Sequence, residues 1–331
     1  VCGFVFAAQA QVPLGAHIVG QLKPMLAELH VSEQSIFERL PLQPESVSGE
    51  ILVKFKGQQT FERRTITPFA TLADALGVYR GRGDVLYAEP NYLAYAFSVP
   101  NDPYYPYQWN FDNPVNRGIH MDDVWGLGDG SGVVVAVVDT GVAYENYGSY
   151  TQASDLAQTH FAPGYDFVNN DSHPNDDEGH GTHVAGTIAE STNNNYGVAG
   201  VAYGASIMPV KVLNSQGSGS YADIADGIKY AADNGADVIN MSLGGSFGSN
   251  ALQDALAYAY NKGVTIVAAS GNDGSGTVSY PAAYDENVIA VGATRFDETR
   301  APYSNWGSAL DIVAPGGDTS VDQNGDGYGV R

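Results

Sequence analysis

The sequence predicts an α/β fold, a doubly wound and mostly parallel sheet with helices on both faces, preceded by a small α+β domain. Three observations predict it. Continuous apolar runs such as "GVVVAVVDTG" (132–141) read as strands buried on both faces. Between several of them lie helical periods that end at glycine. The proline-rich stretch "SVPNDPYYPYQWN" separates this pattern from a different one upstream and places a boundary near residue 98.

Taken in chain order, residues 1–10, "VCGFVFAAQA", are apolar and end in Ala8-Gln9-Ala10, the small-x-small end expected of a signal peptide remnant. A buried N-terminal strand is the alternative. Residues 11–45 form an N-terminal extension without assignment. Residues 46–97 read as the α+β unit: "GEILVKFK" a strand, "TLADALGVY" a short helix, "VLYAEPNYLAYAF" a second strand. Beyond residue 98, "ASIMPVKVL", "ADVINMSL", "VTIVAAS", "NVIAVGA" and "ALDIVAP" repeat the buried-strand pattern, Pro209 weakening the first. "SYADIADGIKYAADNG" opens with a capping box of Ser220 and Asp223 and stops at Gly235. "NALQDALAYAYNKG" places Asn250 as N-cap and Gly263 at the stop.

Composition excludes some partners. The 331 residues hold 15 Lys+Arg against 37 Asp+Glu, a formal charge of -22. Such a surface repels a phosphate backbone, so no nucleic acid partner is expected. No apolar run reaches the length of a membrane span, so no membrane partner is expected. The acidic excess fits a secreted protein, a salt-adapted surface or calcium binding. Cys2 is the only cysteine, which leaves no internal disulfide.

Ligands of open α/β sheets bind beyond the carboxyl ends of the strands, which makes Asp139, closing "VVVAVVD", a candidate; a turn-forming Asp is the plainer reading. "DDEGHGTHVAGTIA" (176–189) sets His180 and His183 three apart behind Asp176, Asp177 and Glu178. A zinc site is conceivable, but H-E-x-x-H is not matched and no later histidine completes a ligand set. The reading preferred is that Gly179 and Gly181 let backbone close on His180 while His183 points inward as packing. An imidazole held by a buried carboxylate is the orienting pair of a serine hydrolase, and Asp139 with His180 can form it. "VAASGNDG" adds Asn272, whose amide can donate to a developing oxyanion, a contribution of about 3 kcal/mol in such sites. "GGSFG" (244–248) matches a nucleophile elbow, but all seven histidines precede Ser246, which rules out the Ser, acid, His order of that fold.

"VVAVVDTGV", "GHGTHVAGTIA", "VINMSLGG" and "AASGNDG", in this order, closely resemble the subtilisin-like serine proteases, particularly secreted bacterial thermitase-like members. The similarity covers about residues 100–331. It implies that Asp139 is the triad acid, His180 the general base and Asn272 the oxyanion donor. It further implies that Ser242, Leu243 and Gly244 pair with an extended substrate and that Tyr221 borders a pocket for a residue upstream of the cut. Ala269, Ser270 and Gly271 would wall the primary pocket, with Ser279 near its base. Apolar or aromatic side chains are then the expected preference, with Asp273 at the rim biasing toward basic ones. Protein or peptide substrates, secretion and a monomeric state follow from the resemblance.

One departure is large. The family's nucleophile lies in a G-T-S-x-A motif some tens of residues after "VAPG", and no serine here has that context. The expectation is a precursor truncated before the serine, inactive as written, with residues 98–331 an incomplete catalytic domain. Residues 46–97 resemble the family's propeptide, an intramolecular inhibitor and chaperone, with self-cleavage near residues 96–98. Calcium is the expected cofactor. "DQNGDG" supplies Asp322, Asn324 and Asp326 at alternate spacing; Asp166, Asp171 and Asn175 resemble a second site, and Asp155 with Asn194 a third. The other readings are a non-catalytic calcium-binding or adhesion scaffold and a zinc hydrolase.

Overall fold

The computed structural model describes residues 46–67, 70–92, 99–111 and 118–323. The first unit is a three-stranded antiparallel sheet, β1 (Ser46–Phe55), β2 (Glu62–Thr65) and β3 (Val85–Tyr92), in the order β2-β1-β3. Helix α1 (Leu72–Arg80) crosses one face. Thr71 caps it in a reciprocal capping box with Asp74, and Leu76 packs on Ile51, Val53, Val85 and Ala88. β2 reads ERRT and carries no apolar residue; pairing with β1 alone makes it a strand, and the sequence gives no sign of it.

The second unit is a parallel sheet of eight strands among the described residues. In chain order these are β4 (Val134–Asp139), β5 (His160–Phe161), β6 (Tyr165–Asp166), β7 (Ser206–Lys211), β8 (Val238–Met241), β9 (Thr265–Ala269), β10 (Ile289–Thr294) and β11 (Ile312–Pro315). Their spatial order is β11-β10-β9-β8-β4-β7-β5, with β6 also beside β7. Every apolar run read as a strand forms one. Pro209 fits inside β7 because β5 pairs only with Ser206 and Ile207, and β6 only with Val210 and Lys211. The proline thus falls in a gap of the outer ladder, where a missing N–H costs little.

Three helices cover the sheet: α2 (His180–Ala189), α3 (Tyr221–Asp233) and α4 (Asn250–Asn261). Alternate residues of β4 face opposite ways, as a strand's period of two requires. Val135 and Val137 pack with Val184, Ala185 and Ile188 of α2, while Ala136 and Val138 join the cluster of Ile224 and Ile228 of α3 and Leu252 and Leu256 of α4. The doubly wound expectation is met. Ser220 caps α3 by accepting from the Asp223 amide, and Gly235 follows at φ +86°. α4 differs by one residue: Ser249 occupies the N-cap and Asn250 is the first helical residue.

β4 lies at the reversal of strand order, with β8 on one side and β7 on the other. A loop leaving its carboxyl end therefore opens into the crevice where such sheets bind ligands. Ile228, fully buried between α3 and the sheet, gives a direct check on this packing. Ile228→Ala should cost roughly 2–5 kcal/mol of stability in denaturant unfolding, and Ser220→Ala, which removes only the cap, about 1 kcal/mol.

Candidate active site

Asp139 ends β4 with its side chain fully buried, and His180 begins α2 with a third of its side chain exposed. The His180 Nδ1 lies 2.7 Å from Asp139 Oδ1. The same oxygen accepts from the Thr140 amide at 2.7 Å. This hydrogen bond to Asp139 raises the His180 imidazolium above the ordinary 6.5, against burial, which acts to lower it. A carboxylate that fixes Nδ1 as the protonated nitrogen leaves Nε2 with a lone pair, the condition for a general base.

Glycine makes the approach possible. A Cβ on Gly181 would collide with the Gly141 carbonyl oxygen and stand 3.1 Å from the Asp139 Cβ. Gly141 itself adopts φ +103° against the Asn175 backbone, and Gly179, at the N-cap of α2, has φ +114°. The expectation that glycines let backbone close at the start of α2 is met at Gly181 only: a Cβ on Gly179 would meet nothing within 4 Å, so that residue serves the helix entry through its positive φ, and Gly141 makes a separate close approach to the Asn175 backbone.

Asp176, which the sequence groups only with a conceivable zinc site, organises the entry to α2. Its Oδ1 accepts from the Thr140 hydroxyl and the Glu178 and Gly179 amides, and its Oδ2 from the Thr182 amide and hydroxyl. Burial acts to raise its carboxyl, but these hydrogen bonds outweigh it and hold the group below the usual carboxylate range. An acid just before a helix is a recognisable N-terminal signal; its long-range bond to Thr140 is not. His183 corrects the reading above: it is exposed, not directed inward. It stands three residues along α2 from His180, while the inward face is taken by Val184, Ala185 and Ile188. Among the described residues no three His, Cys, Asp or Glu side chains are grouped to hold a metal ion.

A cavity of about 360 Å³ adjoins His180. Thr140, Glu178 and His180 line one end; Leu213, Tyr221, Ile224, Leu243 and Leu252 give it an apolar body. Ser242, Leu243 and Gly244, continuing from β8, form a wall, and the Tyr221 hydroxyl donates to the Phe247 carbonyl at 2.8 Å. Of the other predicted binding residues, Ala269, Ser270, Gly271 and Ser279 gather elsewhere. The Ser279 amide donates to the Ser270 carbonyl, and a Cβ on Gly271 would stand 2.5 Å from Ser279 Oγ. A Cβ on Gly244 would stand 3.2 Å from Ser279 Cβ, which joins this group to the cavity wall. Asn272 is exposed on the loop after β9. Asn305, not foreseen, ties that loop down: its Oδ1 accepts from the Asp273 and Ser275 amides, and its Nδ2 donates to Ser279 Oγ.

The oxygen-rich loops fall in three places. Asp155 is buried and accepts from the Asn194 side-chain amide and the Val198 amide. Asp102, also buried and not foreseen, accepts from the Asn193 and Asn194 amides. Burial first, then the charges of Asp155 and Asp102, push the nearby Glu190 carboxyl up to about 8. Asp166 accepts from the Val168 and Asn169 amides, and its backbone pairs with that of Asp171. Asn175 is buried, with Oδ1 lacking a hydrogen-bond partner while its Nδ2 donates to Glu145. Asp322 is described, whereas Asn324 and Asp326 lie outside the described residues.

Comparison with known proteins follows the same line. The model of the Subtilase family matches residues 130–329. A thermophilic serine proteinase of Bacillus sp. (strain AK1) is 47% identical over 246 residues, 74% of this chain and 58% of that protein. Thermitase of Thermoactinomyces vulgaris is 45% identical over 218 residues, 66% of this chain and 74% of its own length. Among solved structures, one of the proteases from Pseudoalteromonas arctica PAMC 21717 aligns with a TM-score of 0.59 at 38% identity, over 66% of this chain and 73% of that one. The chain thus spans little more than half of the first relative's length. With the strand order, the Asp139–His180 pair and the family match in agreement, the chain belongs to the subtilase family.

Proposed function

We propose that this chain carries the acid and base of a secreted serine endopeptidase of the Asp-His-Ser type, made as a precursor. The observation that carries the reading is the 2.7 Å hydrogen bond from His180 Nδ1 to the buried Asp139, placed at the mouth of a cavity. His180 Nε2 takes the proton of a serine hydroxyl as its oxygen bonds to the peptide carbonyl carbon. It then returns the proton to the leaving amine as the C–N bond breaks, and water repeats the cycle on the acyl-enzyme. Asp139 holds the tautomer and balances the imidazolium. Asn272 donates to the oxyanion. The serine is proposed to lie outside these 331 residues, which by themselves are then inactive.

The substrate reading follows from the cavity. Its body of leucine, isoleucine and tyrosine suits an apolar side chain, and residues 242–244 supply main-chain groups along it for an extended peptide. Residues 46–97 are read as the propeptide, acting on the active site until cut; residues 93–98, and with them the expected cleavage at 96–98, lie outside those described.

Calcium is proposed as a structural cofactor, and the residues present fit it. Asp102 and Asp155 offer hard carboxylate oxygens on either side of Asn194, whose backbone amide donates to the first and whose side-chain amide donates to the second, and a Cβ on Gly197 would collide with Asp155 Oδ2, so backbone closes on that carboxylate. Asn175 Oδ1, buried without a hydrogen-bond partner, is a second such donor. Calcium supplies charge compensation to these loops and takes no part in the reaction.

Two outcomes are expected. The His180 midpoint followed by NMR should lie above 6.5, and Asp139→Asn should lower it. A raised folded value means that this pair's extra stabilisation is fully present below the unfolded value of 6.5 and is lost as pH rises through the folded midpoint. An unchanged midpoint in Asp139→Asn contradicts the base assignment. Chelation should lower the melting temperature, and returned calcium, but not magnesium at equal concentration, should restore it. A melting temperature indifferent to both ions contradicts the cofactor.

A further inference from the structure

Lys211 is the last residue of β7 and has no part in the mechanism above. Among the described residues it is the only lysine or arginine that is buried, with 0% exposure. A buried ammonium is costly unless its charge is paired and all three of its donors are used. Here all three are. Nζ donates to the Thr140 carbonyl at 2.5 Å, to Asp177 Oδ1 at 2.6 Å and to the Leu213 carbonyl at 2.9 Å.

Each acceptor belongs to a different part of the site. Thr140 follows Asp139, and its amide donates to the same Asp139 oxygen that holds His180. Its hydroxyl donates to Asp176 and accepts from the Gly181 amide, the second residue of α2. Asp177 lies in the loop that leads into α2. Leu213 lines the cavity, and its amide donates to the Asp139 carbonyl. Lys211 is also the register partner of Asp139 across the β4–β7 ladder, so both side chains rise from the carboxyl ends of adjacent strands on the α2 side.

We propose that Lys211 is a positioning residue for the Asp139–His180 pair: its ammonium bolts the turn after β4 to the loop before α2 and to the cavity wall, and so sets the aim of Asp139. The inference rests on the role given above to that pair. A flat hydrophobic residue at 211 would fill the space but leave the Thr140 carbonyl without its donor and let the turn rotate. With no exposed surface, Lys211 cannot touch substrate, so its action passes through these groups.

The test is the proton on His180 Nδ1, which a strong hydrogen bond to a carboxylate moves far downfield in NMR. In the unaltered chain the signal is expected at low pH, and it should vanish in Asp139→Asn. Lys211→Met, folded by circular dichroism, is expected to lose the signal and to bring the His180 midpoint back toward 6.5. Asp177→Asn leaves an amide oxygen that can still accept from the ammonium and keeps both carbonyl contacts, so it should keep the signal while lowering the melting temperature through the unpaired charge. A folded Lys211→Met that retains signal and midpoint overturns the proposal, whatever its melting temperature. Should that variant not fold, hydrogen exchange in the unaltered chain decides: the Thr140 amide should be protected within about tenfold of the β4 amides, and exchange at the rate of an open loop overturns the proposal. Survival of the downfield signal in Asp139→Asn would instead remove the pair on which the inference stands.

Discussion

Everything at this site depends on how closely the start of α2 approaches the end of β4. The 2.7 Å contact between His180 and Asp139 exists because no side chain stands at Gly181, where a Cβ would collide with the Gly141 carbonyl oxygen and crowd Asp139. The anion is buried, and a buried carboxylate persists only with donors around it. Asp139 has the Thr140 amide and His180 on one oxygen. Thr140 and Asp176 extend the same network into the first turn of the helix, so that the acid, the base and the helix entry form one hydrogen-bonded unit.

That unit also explains why the local elements are where they are. The strand that carries Asp139 is buried on both faces, which fixes its alternation and leaves only its end free for chemistry. The loop from Asp166 to Gly179 is long and rich in Asp and Asn, and its amides are taken up largely by its own side chains. Acids placed this way first satisfy the backbone amides around them. The same holds for Asp102 and Asp155, and it gives part of the chain's large negative charge a structural purpose.

Much of this was legible in the sequence, and the exceptions share a cause. Buried strands were readable because burial on both faces leaves an unbroken apolar run, and α3 because Ser220 and Gly235 mark its ends by local chemistry. Asp139 and His180 were readable from chain order and from the glycines around them. Asp102 was not, since its partners lie 91 and 92 residues away. Asn305 was hidden in the same way, bonding to a loop 30 residues upstream. β2 escaped notice because a charged edge strand has no pattern of its own. His183 was misjudged because the small residues of α2 leave little periodicity to tell which face is inside.

The proposed chemistry stands or falls on whether His180, oriented by Asp139, activates a serine. The most direct measurement is to express the source gene through its own stop codon and treat the product with a fluorophosphonate. The account predicts a single labelled serine downstream of residue 331, with labelling abolished by His180→Ala. No labelled serine, or labelling that proceeds equally without His180, would contradict it.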